Sequence, residues 1–219
     1  MRRGVFVTAT DTGVGKTVAS AAFMYVYRST PVRYWKPIQT GIEQDDDTAE
    51  VRRLAECAAG EIVEEGIRLE RPVSPHLSAR LAGRRISIDD VMPIIDGARA
   101  GSAWIVEGAG GALVPINEQE MMIDLMVRIG LPVAIVARTA LGTINHTLLT
   151  LEALRARALT IAGVLLVGDA NEENRNAIAS HGRVKILGEM PRFNPLTPHA
   201  LGTWAQSHLE RPEADREVF

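Results

Sequence analysis

Gly15-Lys16-Thr17 is the group of residues in this sequence best suited to holding a polyphosphate. A lysine directly after a glycine can reach the outer phosphate oxygens, and the next threonine places a hydroxyl where a phosphate-bound Mg²⁺ sits. The segment Ala9-Thr10-Asp11-Thr12-Gly13-Val14-Gly15-Lys16-Thr17 follows Val5-Phe6-Val7, which reads as a buried strand. It precedes Val18 to Tyr27, which reads as a helix. The first N–H groups of a helix lack intrahelical partners and lie at the positive end of its dipole, so residues Thr12 to Val18 are expected to surround phosphate oxygens. The usual pattern has a glycine where this chain has Thr10. One residue earlier stands Ala9, which can end a strand at negative φ. The competing reading is an ordinary turn into a surface helix. The strand before and the helix after favour a phosphate-binding loop.

A nucleotide-bound Mg²⁺ takes oxygen ligands, commonly one or two carboxylates, a hydroxyl and waters. Thr17 supplies the hydroxyl. Glu107 supplies a carboxylate at the end of the apolar run Ala103-Trp104-Ile105-Val106, beside Gly108, Gly110 and Gly111, which leave room for a ligand. The triple aspartate Asp45-Asp46-Asp47 holds a further candidate, and spacing does not choose among the three. Asp47 and Glu50 also stand at capping-box spacing. Lys36, between an apolar run and Pro37, is placed to neutralise charge developing on a transferred phosphoryl group or a carboxylate. His76 and His146 read as packing or capping residues. The single cysteine, Cys57, excludes an intramolecular disulfide and a cysteine-clustered zinc site.

These residues need a scaffold, and alternation of apolar runs with helical patterns supplies one. Strands are expected at residues 4–9, 32–35, 103–106, 131–137, 161–167 and, as a short last strand, 184–187. Helices are expected at 16–29 and 48–59, after a turn at 72–76 as a short helix to about Ala82, from an N-cap at Ser87 to about Ala100, and at 121–129, 142–158 and 171–181. Residues 36–41 read as a loop, residues 60–72 as one strand and a loop, and the charged tail from Glu210 as loose. The fold class is α/β, a P-loop NTPase-like parallel sheet with helices on both faces in three layers, as one domain over residues 1–219. Such sheets bind ligands outside the carboxyl ends of their strands. Thr10 to Thr17, Lys36, Glu107, Thr139 to Asn145, and Gly168-Asp169 all follow strands.

The 219 residues carry a net charge of −3 with 46% hydrophobic and 23% charged content, which is an ordinary globular composition. No dense basic stripe points to nucleic acid. No apolar run reaches the length of a membrane span, and no secretory-signal pattern precedes the phosphate loop, so the cytoplasm is the expected location.

Four pieces in this order resemble the dethiobiotin synthetase family: residues 8–17, Lys36-Pro37-Ile38-Gln39-Thr40-Gly41, Val106 to Gly111, and Leu141-Gly142-Thr143-Ile144-Asn145-His146. The resemblance covers about residues 4–190, and the last three motifs are quite specific to the family. Its phosphate loop is stretched, which accounts for the spacing here, with Ala9 where the family's first glycine stands. The resemblance implies ATP-dependent closure of 7,8-diaminopelargonic acid and CO₂ to the cyclic urea dethiobiotin, through a carbamate and a carbamic-phosphoric anhydride.

It implies that Lys16 and the loop amides hold the phosphates. Thr17, Asp47 and Glu107 would ligate Mg²⁺, and Lys36 would lie between the carbamate and the γ-phosphate. Thr40, Gly110 and Gly111 would face the diamine. Gly142, Thr143, Ile144 and Asn145 would meet its carboxylate from the other subunit of a homodimer. Gly168, Asp169 and Pro191 would lie at the nucleotide. Many family members carry asparagine where Gly168 stands, and that asparagine reads the adenine, so the choice of base is open here. A ParA/MinD-like regulatory ATPase is the alternative. Those proteins carry a second lysine early in the loop, where this chain has Asp11. A third reading is a non-catalytic nucleotide-binding module, in which the Lys36 and Glu107 motifs would have no purpose.

Overall fold

The structure, a computed structural model, describes residues 2–97 and 101–212. Its strands are β1 (Arg3–Ala9), β2 (Val32–Trp35), β3 (Ile38–Thr40), β4 (Ile62–Val63), β5 (Ile67–Leu69), β6 (Ala103–Gly111), β7 (Val133–Arg138), β8 (Ile161–Val167) and β9 (Ile186–Met190). Its helices are α1 (Lys16–Tyr27), α2 (Asp47–Leu54), α3 (Pro75–Leu81), α4 (Met92–Asp96), α5 (Met122–Ile129), α6 (Thr143–Ala156), α7 (Glu172–Gly182) and α8 (Pro198–His208). Seven strands form the main sheet in the order β4-β2-β6-β1-β7-β8-β9, every adjacent pair parallel. The α/β expectation holds.

Period-two alternation divides the sheet into two cores. Val5, Val7 and Ala9 of β1 join Phe23, Leu54, Leu201 and Trp204, beneath α1, α2 and α8. Phe6, between them, joins Met126, Leu151 and Ile178, beneath α5, α6 and α7. Both faces are therefore covered, which is what continuous apolar strands require.

Several boundaries differ from the sequence reading. The segment 36–41 is not all loop, because Ile38–Thr40 pairs in parallel with Ile67–Leu69 as a separate two-stranded ribbon. Residues 60–72 accordingly hold two short strands rather than one. The helix expected to Ala59 stops at Leu54. Glu56 takes a left-handed φ of 48°, and the Cys57 N–H bonds back to the Arg52 carbonyl at 3.0 Å, which closes the helix in a Schellman turn. Ser87 does start a helical segment, with its N–H on Asp90 Oδ2 at 2.7 Å, but the first turn is 3₁₀. The chain restarts as α4 where Pro93 offers no N–H. Residues 98–100 of that expected helix lie outside the described residues.

α8 has no counterpart in the sequence reading. Thr197 caps it, and it lies against α1, where Tyr25 donates to the Leu54 carbonyl at 3.0 Å. The last strand sits two residues later than expected. The tail is not loose at its start: the Glu210 N–H bonds the Leu187 carbonyl at 2.8 Å, and the Arg211 guanidinium lies 4.4 Å from the Tyr27 ring centre. The tail beyond residue 212 lies outside the described residues. Among the described residues no helix is long and apolar enough to cross a membrane.

Candidate active site

The loop between β1 and α1 is built by its glycines. Gly13 and Gly15 take φ of 69° and 101°, and Gly15 is the left-handed residue that opens α1. No side chain caps this helix, whereas Asp46, Asn171 and Thr197 cap α2, α7 and α8. Ala9 stays in β1 at ordinary negative φ, paired with Val136 and Gly111, so the missing glycine costs nothing there. The Asp11 carboxylate accepts the Thr12 N–H at 2.7 Å and pairs with Arg138 at 3.0 Å. Lys16 lies 8% exposed with Nζ 3.4 Å from the Asp11 carbonyl. Burial, and then the charge of Lys36, lower its pKa, so an anion brought to this loop relieves a poorly compensated ammonium.

Alternation and register bring the next residues to the same spot. β2 pairs with β6 so that Tyr34 lies opposite Ile105. Tyr34 and Ile105 share the core beneath α1, and Lys36 and Glu107, two residues on, point into it as well. Glu107 is wholly buried. Its Oε1 accepts from Lys36 Nζ at 2.8 Å and Thr17 Oγ1 at 3.2 Å, and its Oε2 accepts from the Tyr34 hydroxyl at 3.0 Å. Asp47 enters from the first turn of α2. Its Oδ1 accepts from Thr17 Oγ1 at 2.7 Å, and its Oδ2 pairs with Lys36.

Burial opposes the charge on Lys36, but Glu107 and Asp47 outweigh it and raise its pKa. Burial likewise opposes ionisation of Asp47, and Lys36, Thr17 and Lys16 outweigh it and lower the pKa. Burial, then Glu107, hold the Tyr34 phenol well above its usual pKa.

Two expectations are corrected here. Glu107 does not end its strand. β6 runs on to Gly111, and the glycines are there because β1 passes close: a Cβ on Gly108 would stand 3.0 Å from the Phe6 ring, and one on Gly111 would stand 3.1 Å from the Ala9 carbonyl. The cap of α2 is Asp46, whose side chain accepts the Ala49 N–H at 3.0 Å, and not Asp47. That division of labour leaves the Asp47 carboxylate free to face Thr17, which spacing alone left open among three aspartates.

Thr17, Asp47 and Glu107 fit a hard divalent cation by their chemistry. The Thr17 hydroxyl lies against an oxygen of each carboxylate, and the Lys36 ammonium bridges the two carboxylates as a stand-in positive charge. Among the described residues no larger His, Cys, Asp or Glu cluster occurs. Thr40 lies half-buried at the end of β3, next to this group in sequence. Gly111, Ala112, Leu113 and Val114 face Thr10, Asp11 and Thr12 across a cleft of about 430 Å³, whose far wall is His146, Leu149 and Thr150 of α6. His146, read from the sequence as a packing or capping residue, lines a cleft beside the loop.

Gly142, Thr143, Ile144 and Asn145 do not line that cleft within one chain. They begin α6 behind an uncapped left-handed Gly142, with Leu141 fully exposed beside them. At the other flank a Cβ on Gly15 would touch Val167 at 3.5 Å, and the Gly168 N–H bonds the Met190 carbonyl at 2.9 Å. Gly168, the exposed Asp169 and Pro191 therefore sit side by side near the helix end of the loop.

A phosphate loop after the first strand, with a hydroxyl from α1, carboxylates from α2 and β6 and a lysine just past β2 gathered beside it, defines a P-loop α/β protein. Solved structures of that build superpose on this chain. A ParA family ATPase from Chlorobium tepidum does so with TM-score 0.59 at 11% identity, over 94% of this chain and 98% of that one. The MinC:MinD complex of Aquifex aeolicus gives 0.55 at 14% identity, over 99% and 90%. At these identities the likeness is one of fold. A family model described as an AAA domain matches residues 3–200. The ATP-dependent dethiobiotin synthetase BioD of Agrobacterium fabrum is 44% identical over 195 residues, 89% of each chain, and that of Brucella ovis is 44% identical over 202 residues, 92% of each. The chain belongs to the dethiobiotin synthetase family.

Proposed function

We propose that this protein carries out the reaction for which its relatives are named, using ATP to close 7,8-diaminopelargonic acid and CO₂ into dethiobiotin. The observation that carries the reading is the Lys36–Glu107–Asp47–Thr17 group beside the phosphate loop, in a chain 44% identical to ATP-dependent dethiobiotin synthetases. One amine of the substrate combines with CO₂ to give a carbamate. A carbamate oxygen attacks the γ-phosphorus, the bond to ADP breaks, and a carbamic-phosphoric anhydride forms. The second amine then attacks the carbamoyl carbon, expelling phosphate and closing the five-membered urea.

The residues divide these tasks. Lys16 and the amides of Thr12 to Val18 bind the phosphates. Thr17, Asp47 and Glu107 would hold Mg²⁺, which neutralises the nucleotide's charge when bound. Lys36, fixed from below by two carboxylates, presents one ammonium to the oxygens on which charge develops between carbamate and γ-phosphate. Gly110, Gly111 and Thr40 flank the diamine. The cleft between the Gly111–Val114 segment and α6 has room for an aliphatic chain. The α6 N-terminus of a second subunit, at Gly142 to Asn145, would receive its carboxylate, and Leu113, Leu141 and Leu149 supply exposed apolar surface for that association. A partitioning switch of ParA type would need neither the Lys36 group nor this cleft.

Incubation with Mg·ATP, bicarbonate and the diamine should yield a cyclic urea and one ADP per product, by mass spectrometry and coupled ADP assay. ADP release that ignores the diamine would reject the reading in favour of a switch ATPase.

A further inference from the structure

Glu107 is a carboxylate without solvent, and a buried carboxylate needs hydrogen-bond donors at both oxygens. Oε1 has Lys36, and it shares the one Thr17 hydroxyl hydrogen with Asp47. Oε2 has the Tyr34 hydroxyl, at 3.0 Å. Tyr34 is itself fully buried. A phenylalanine would fill the same apolar space, so the hydroxyl is there for a polar purpose, and its one hydrogen bond goes to Glu107. The two residues reach each other because β2 and β6 are parallel neighbours in a register that sets Tyr34 one pair below Glu107 on the same face. Hydrogen bonds to a carboxylate that ligates a metal fix the ligand's rotamer and leave its free oxygen aimed at the ion.

Resting on the proposed function's assignment of Glu107 as a Mg²⁺ ligand, we propose that Tyr34 is a positioning residue for the metal site: its hydroxyl holds Glu107 Oε2 so that Oε1 faces Thr17 and the metal of the bound nucleotide. Tyr34 touches neither nucleotide nor diamine in this role. It acts on the metal through Glu107 alone.

Tyr34→Phe removes the donor and keeps the ring. Mn²⁺, which replaces Mg²⁺ and is read directly by electron paramagnetic resonance, is titrated into the full-length protein with a non-hydrolysable ATP analogue. The variant's Mn²⁺ dissociation constant should rise about tenfold to a hundredfold, while the analogue's affinity without metal and the KM for the diamine stay within about twofold, the scatter of a distant change. In a Glu107→Gln background the same substitution should change Mn²⁺ affinity no further, a result that general loosening of the core would not give. If Tyr34→Phe fails to fold, p-aminophenylalanine at position 34, with a weaker donor in the same place, should still raise the dissociation constant. An unchanged constant in a folded variant overturns the inference alone. Absence of Mn²⁺ binding by the wild-type protein overturns both this inference and the proposed function.

Discussion

At the scale of residues, the site is a balance of buried charge. Lys36 has two carboxylates and Glu107 has three donors, and each group is costly to bury without the others. Removing one member of such a group changes what the rest can hold. Glu107→Gln and Asp47→Asn should each raise the Mg²⁺ concentration for half-maximal activity by about tenfold or more, each losing an anionic ligand for a hard cation. Asp45→Asn should leave it unchanged, and Asp46→Ala should lower stability by about 1 kcal/mol as a lost cap while sparing the metal dependence. Equal effects at positions 45 and 47 would move the ligand elsewhere.

The same group sets a pH window. Asp47 has a lowered folded pKa, so its contribution to stability is present above the unfolded value of 3.8 and is lost as pH falls through the folded one. Lys36 has a raised folded pKa, so its contribution is present below 10.5 and is lost as pH rises through the folded value. Unfolding by urea should therefore show a plateau of this contribution between those limits and a decline on both sides. Lys36→Met should flatten both declines.

At the scale of elements, the sequence announces what depends on local rules and hides what depends on close packing. The phosphate loop was legible because glycine, lysine and threonine occupy positions that backbone conformation and phosphate chemistry prescribe. The role of Asp47 was not, because three aspartates in a row differ only in which one reaches the cap position. The strand read as ending at Val106 because glycine disfavours strands, yet β6 runs on to Gly111, and β1 leaves no easy room for a Cβ at Gly108 and Gly111. α8 escaped because Gly202 interrupts it, and that glycine is required by the Tyr25 ring, 2.9 Å from where its Cβ would stand.

Gly168 carries the same lesson into specificity. Its φ is 133°, a conformation that side chains rarely adopt, and a Cβ there would meet the Thr139 hydroxyl at 2.5 Å, so a side chain here would be strained and would displace that hydroxyl. A site rejects an analogue strongly only when a buried polar partner is left unpaired. GTP or CTP should therefore support the reaction within about tenfold to a hundredfold of ATP, by kcat/KM. Strict ATP dependence would show that a different residue on this edge reads the base.

At the scale of the whole molecule, the expectation is that one chain does not complete its own site. Gly142 to Asn145 do not line the cleft that Thr10 to Thr12 and Gly111 to Val114 form, although His146, the next residue, does. In the proposed twofold dimer each α6 N-terminus would be offered to the other subunit's substrate, and the exposed Leu113, Leu141 and Leu149 would supply apolar surface to the partner. Thr143 is a poor place to test this, since its side chain is 2% exposed and a larger one would overpack the core. Asn145 is exposed in the first turn, where an acidic side chain suits the helix dipole and leaves the fold intact.

Asn145→Glu sets a like charge against the substrate carboxylate and should weaken diamine binding by about 1–3 kcal/mol, with nucleotide binding unchanged. Lys16→Ala should reduce turnover by about 10²–10³ through loss of a preorganised positive group. Mixed and allowed to exchange, the two variants form heterodimers in which one site carries both changes and the other neither. In an equal mixture assayed well below the diamine concentration that Asn145→Glu needs, half the dimers with one intact site each should restore about a quarter of wild-type activity. Heterodimers shown by native mass spectrometry, with no activity recovered, would mean that each subunit builds its site alone.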